Sequence, residues 1–240
     1  RFGMSLAMTE LADRIATRGE FAGACELFEQ AIAVVTEVGA VEDVIRMRSR
    51  QAQLYWLLGD EDSSAAALAE AQRFADRVTW PDALAELAFA KAELARWRGD
   101  TEEAHLQLDL ATALLGDDGA EQSNVRATSH DLLGYLADDL DEARTHRAAA
   151  CRAAAEAGYA PLIAQVLVGA ADLALRRGQH EQAARLLAAG TGVLGLPDRS
   201  RPDVARIEQA ARQRLGEARY AELVLEGSQA DWSELVTVTL

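Results

Sequence analysis

The sequence predicts an all-α protein built of stacked helical hairpins. Three observations carry that expectation: the composition, a turn motif that recurs about every 40 residues, and small residues that recur in register with it. Half of the 240 residues are hydrophobic, so an extensive core can form. Alanine supplies about a fifth of the chain, proline occurs 4 times, and β-branched clusters are few. That balance favours helix over strand.

The turn reads Arg18-Gly19-Glu20, Leu58-Gly59-Asp60, Arg98-Gly99-Asp100 and Arg177-Gly178-Gln179, with Ala137-Asp138-Asp139 in the same slot. Anchored on Gly19, Gly59, Gly99, Asp138 and Gly178, the steps are 40, 40, 39 and 40 residues. A period of this size is the mark of stacked helical hairpins. Five residues after each anchor stand Ala24, Ser64, Ala104, Ala143 and Ala183; twelve after stand Ala31, Ala71, Ala111, Ala150 and Gly190. Seven before stand Ala12, Ala52, Ala92, Asp131 and Ala171. Small residues let antiparallel helices approach closely, and the larger Phe28, Leu68, Leu108 and Leu187 fill the gaps.

Each unit therefore reads as helix A, tight turn, helix B. The first B helix is expected near 20–38 and the second A helix near 41–58. Pairs follow at 61–78 and 82–98, 101–115 and 122–137, and 139–157 and 160–177, with a last B helix at 179–190. Gly39, Trp80-Pro81, Gly116-Asp117-Asp118-Gly119 and Gly158-Tyr159-Ala160-Pro161 separate them. About five units thus fill residues 1–190. Residues 191–240 read as a loop, Thr191–Arg201, and capping helices: Pro202–Leu215, Glu217–Glu226 and, after Gly227 and an Asp231 N-cap, 232–240. Such an end would close the exposed core of an array.

Charge excludes some functions. Lys+Arg number 24 against 39 Asp+Glu, a net of -15, with a pI near 4.7. Direct nucleic-acid binding and a polybasic membrane anchor both need basic surface, so neither is expected of this chain. Two cysteines, Cys25 and Cys151, make no disulfide framework, no apolar run approaches a membrane span, and a reducing cytoplasm is the expected home.

The glycine turn and the small-residue columns resemble the tetratricopeptide repeat over residues 5–190. The resemblance implies a right-handed α-solenoid. The period of 40 exceeds that repeat's 34, and the proline that ends its B helices is absent at Thr36, Asp76, Gly116 and Ala155. A narrower resemblance runs through Gln182–Ala189, Leu196-Pro197, Arg201–Glu208, Leu215–Tyr220, Glu226-Gly227 and Trp232–Val236. This order is similar to the C-terminal region of AfsR-like antibiotic regulatory proteins and of large ATP-binding LuxR-type regulators of actinobacteria. In those proteins such an array follows a DNA-binding domain and usually an ATPase module. The resemblance implies a regulatory module that binds a protein, a peptide or a small-molecule effector and controls an effector domain N-terminal to Arg1. The alternative is a free-standing scaffold, or a homodimerisation surface with no ligand.

In tetratricopeptide folds the A helices line the concave groove. Carried over by register, the groove residues are Arg46, Ser49, Arg50, Gln53 and Trp56, then Phe89, Glu93, Arg96 and Trp97, then Thr128, Tyr135, Gln165 and Asp172. Arginine and aromatic residues dominate binding hot spots, and Arg46, Arg48 and Arg50 could clamp a carboxylate or acidic peptide. Equally, Trp56 and Trp97 could be core between repeats and the arginines could pair with nearby acids. No enzyme activity, cofactor or metal is expected. His105, His130, His146 and His180 show no metal-ligand spacing, although His130 lies on an A helix near Tyr135. Glu102-Glu103 and Asp138-Asp139 sit at helix starts, where they complement the dipole. Gly190-Thr191-Gly192-Val193-Leu194-Gly195 spells a dinucleotide fingerprint, but it follows a helix instead of a strand.

Overall fold

The computed structural model describes residues 2–240, with the side chains of all of these but 2, 4 and 38. The described residues are all-helical, with thirteen helices. The chain divides into two compact units, Arg1–Asp117 and Asp118–Leu240. None of the helices is long and apolar enough to cross a membrane.

The first unit contains α1 (Phe2–Thr17), α2 (Phe21–Val38), α3 (Val41–Leu57), α4 (Glu61–Ala75), α5 (Pro81–Arg98) and all but the last residues of α6 (Thr101–Ala120). Gly19, Gly59 and Gly99 all have positive φ. The residue after each glycine donates back to the carbonyl five residues earlier: Glu20 to Ile15, Asp60 to Tyr55 and Asp100 to Ala95. That residue's own carbonyl accepts the first bond of the next helix, from Ala24, Ser64 and Ala104. One hydrogen-bonded turn thus satisfies both helix ends. The paired helices run antiparallel. Ser64 Oγ donates to Ala52 O at 2.8 Å, Ile45 clusters with Ala71 and Ala75, and Ala85 and Ala88 cluster with Ala111. Consecutive hairpins touch through α2 with α3 and α3 with α5. Near its end the α6 run breaks at Gly116, whose φ 66° and ψ −178° belong almost only to glycine.

The second unit contains α7 (Ser123–Leu136), α8 (Leu140–Ala157), α9 (Ala160–Arg176), α10 (His180–Leu194), α11 (Pro202–Leu215), α12 (Glu217–Gln229) and α13 (Trp232–Thr239). Gly178 closes the α9–α10 hairpin with the same bonds, Gln179 to Ala174 and Ala183 to Gln179. The α7–α8 turn has no glycine and no left-handed residue. There Ala137 is extended, and the Asp139 carboxylate accepts from the N–H groups of Asp141 and Glu142. This different turn accounts for the single 39-residue step. Helix α9 is buried from Leu162 to Ala174 on nearly every face, because α7, α8, α10, α11 and α13 all touch it.

All three small-residue columns are buried in full, from Ala12 to Gly190. Several expected boundaries move: the helix set at 61–78 ends at Ala75, and the one set at 101–115 runs past a break at Gly116 to Ala120. The loop set at Thr191–Arg201 shortens, because α10 continues to Leu194. Gly227 does not end a helix but lies inside α12, which runs to Gln229.

Candidate functional site

In the first unit, the A-helix positions form two groups. Trp56 and Trp97 meet with ring centroids 5.2 Å apart and pack on Ala52, Ala67 and Leu94. Phe89 packs on Ala85, Ala88 and Ala111. Ser49 is buried and spends its hydroxyl on Ile45 O at 2.8 Å. The charged residues find acids nearby. Arg50 reaches Asp13 and Gln53, each at 3.0 Å, and Arg96 pairs with Glu93 at 2.9 Å. Arg48 is drawn inward to Glu29, Gln51 and Glu70. Arg46 pairs with Asp43 at 2.9 Å while its side chain stays 47% exposed. Aromatic body and core are thus continuous here, and Arg46 is more exposed than Arg50, Glu93 or Arg96 of the predicted groove.

The second unit holds a charged centre that the groove register did not name as such. Arg147, on α8, is 0% exposed. It pairs with the Asp131 carboxylate, donates to Asp131 O at 2.8 Å, and has Asp172 Oδ2 3.8 Å from Nη2. Its Nε and Nη2 have no hydrogen-bond partner among the described residues. The Tyr135 ring lies below, 3.8 Å from Cζ. Gly134 and Gly169 make the room. A Cβ at Gly134 would lie 2.8 Å from Arg147 Nε, and one at Gly169 would collide with both Arg147 and Asp131.

The network continues outward to α11. Gln165 donates to Asp131 Oδ2 at 3.0 Å and accepts from Arg201 at 2.5 Å. Arg206 donates to Asp172 at 2.5 Å and Asp203 at 2.8 Å. Four helices are therefore joined by charge: α7 through Asp131, α8 through Arg147, α9 through Asp172, and α11 through Arg206. Tyr135, Gln165 and Asp172 from the predicted groove belong to this network. Arg147 itself was missed, yet a signal was present. It stands nine residues after Asp138, in the column that holds Phe28, Leu68, Leu108 and Leu187.

His130 and His146 form a second cluster on α7 and α8. Their Nδ1 atoms are 3.0 Å apart, and Glu142 lies 4.0 Å from His146 Nε2. The Nδ1 contact needs one donor and one acceptor, so two protonated rings cannot share it. Burial, then facing His146, then Arg126 and Arg152 hold His130 below its ordinary value of 6.5. In the unfolded chain the ring takes up its proton through that ordinary value, and in the folded chain only at lower pH. The unfolded state then binds more protons, so stability falls as pH drops through this window and is restored above it. Melting temperature is expected to decline between about pH 7.5 and about pH 5.5, and His130→Phe to remove part of the decline. Parallel profiles for the two proteins would show that the pair does not carry it.

Two of the fingerprint glycines, Gly190 and Gly192, lie in helix and not in a loop: both are within α10, against Ala164 O of α9 and Ser228 O of α12. Compared with known proteins, the sequence matches no family model and no curated protein.

Proposed function

We propose that the chain is a regulatory interaction module, a right-handed solenoid of tetratricopeptide-like hairpins that binds a protein, peptide or small-molecule signal on its A-helix faces. One observation carries the reading. The same glycine turn recurs four times, and the columns in register with it are buried throughout. Repetition of one packing unit, with A helix on A helix at α3–α5 and at α7–α9, is how such arrays generate a continuous recognition surface. The resemblance to the repeat region of AfsR-like and LuxR-type regulators supplies the regulatory part. In this reading a bound signal is passed to an effector domain of the same regulator. The face of α3 and α5 is the one we assign to recognition, with Arg46 as the charge that meets an acidic group and Trp56 and Trp97 as its aromatic wall.

A display library of acidic peptides, selected on the immobilised chain, tests this. Selected peptides should change the tryptophan fluorescence and lose at least about tenfold in affinity on Arg46→Glu, equivalent to about 1.4 kcal/mol. The Arg46 side chain is 47% exposed and its pair with Asp43 is a surface one, worth about 1 kcal/mol or less, so the variant should keep the fold. Failure to select any peptide, or affinity indifferent to Arg46→Glu, would count against the assignment.

A further inference from the structure

Helix α13 is 8 residues long. A helix that short is unstable alone in water, so the surface beneath it must hold it. Trp232, Leu235, Val236, Thr239 and Leu240 fall at i, i+3, i+4, i+7 and i+8, a single stripe. Trp232, Leu235 and Val236 pack on the cluster that includes Leu167, Ala171 and Leu186. Val236 and Leu240 reach the cluster that includes Ala150, Cys151 and Leu162. The floor is therefore supplied by α8, α9 and α10. Three polar ties fasten the helix: Gln182 donates to Thr239 Oγ1 at 2.7 Å and to Leu235 O at 3.2 Å, and Arg144 donates to Leu240 O.

The attachment is shallow. Of the α13 residues only Thr239 is buried, and the four apolar anchors are half-buried. Val238 is 82% exposed and borders an open cleft of about 470 Å³. The link from α12 is Ala230-Asp231, with Ala230 extended at ψ 153°.

We propose that the surface of α8, α9 and α10 beneath α13 is a helix-docking groove, filled in cis by α13 and, when this strap lifts, in trans by the α13 of a second copy of the chain. The occupant follows from complementarity already present: the second copy carries the same stripe, the same Thr239 hydroxyl and the same Leu240 carbonyl. The two-residue hinge favours exchange, because straightening it carries α13 away from its own groove without unfolding either helix. In cis the tether supplies an effective concentration of about a millimolar, so a free copy competes only when the strap is weakened. This inference is independent of what the first unit binds.

The experiment uses the full chain and a fluorescein-labelled peptide of residues 229–240, followed by anisotropy. A chain carrying Leu235→Asp and Val236→Asp should bind the peptide at least tenfold more tightly than the unaltered chain, and a peptide with the same two changes should bind neither. A second arm keeps the apolar stripe intact and changes only the Gln182–Thr239 tie. A Gln182→Cys copy mixed with a Thr239→Cys copy should form an inter-copy disulfide that neither forms alone. Cys25 and Cys151 do not compete, because burial pushes their thiols up to about 11 and about 12. Equal peptide affinity for the two chains, or no inter-copy disulfide from the folded mixture, overturns the proposal. If the double aspartate chain loses its helical signal, the cysteine arm decides alone.

Discussion

Replacing Arg147 with leucine is expected to cost about 3–5 kcal/mol in the stability of the second unit, the range for removing one partner of a buried charge pair. The guanidinium is fully buried, and Asp131, 2% exposed, pairs with it. Taking Arg147 away leaves the buried Asp131 carboxylate without its guanidinium partner, while Gln165 stays as a neutral donor. Asp172 suffers less, because Arg206 still holds it at 2.5 Å. The control is the double variant Asp131→Ala/Arg147→Leu, which places in this unit the residues that the other units carry at the same two positions. It should return to within about 1 kcal/mol of the parent, since apolar replacement of a whole buried pair is often neutral or stabilising. Denaturant unfolding followed by far-UV circular dichroism measures both. A single variant costing under about 1 kcal/mol would mean that the charges are solvated in practice.

The same two positions show how much of the molecule could be read in the sequence. Hairpins, turns and columns were legible because each depends on short-range chemistry: a glycine that reverses the chain, and an alanine that lets two helices touch. Helix ends came within a few residues for the same reason. The charged centre was half legible. Asp131 breaks an alanine column and Arg147 breaks a Phe/Leu column, both in the fourth unit, and a polar exception on each side of one hairpin is what a buried pair requires. What periodicity could not supply was the distance between them, or that Gly134 and Gly169 leave the space the guanidinium fills. The groove residues split along the same line. Register placed Trp56 and Trp97 together, but which charges would be spent inside the fold depended on Asp13, Glu29 and Glu70, which lie on other helices.

Gly227 and Gly23 carry the second large expectation, with opposite signs. Both lie inside helices, and on helix propensity alone Gly→Ala should stabilise each by about 0.5–1 kcal/mol. At Gly23, in α2, a Cβ would meet only Ile15 Cγ2 at 3.9 Å, an ordinary contact, so Gly23→Ala should realise that gain. At Gly227, in α12, a Cβ would collide with Arg185 O and lie 2.8 Å from Arg185 Cα. Both are backbone atoms of α10, and backbone inside a packed helix cannot step aside as a side-chain tip can. Helix α12 must then move away from α10, loosening Leu223 in the cluster it shares with Ala184 and Tyr220. Overpacking of this kind costs about 1–3 kcal/mol, enough to outweigh the propensity gain. Gly227→Ala should therefore lower the unfolding midpoint while Gly23→Ala raises it. Equal shifts of one sign would mean that α12 rides on α10 loosely enough to yield. In that case Gly227 would be a turn residue in function, as its place between Glu226 and the last helix first suggests, and the close approach of α12 to α10 would contribute little to the stability of the second unit.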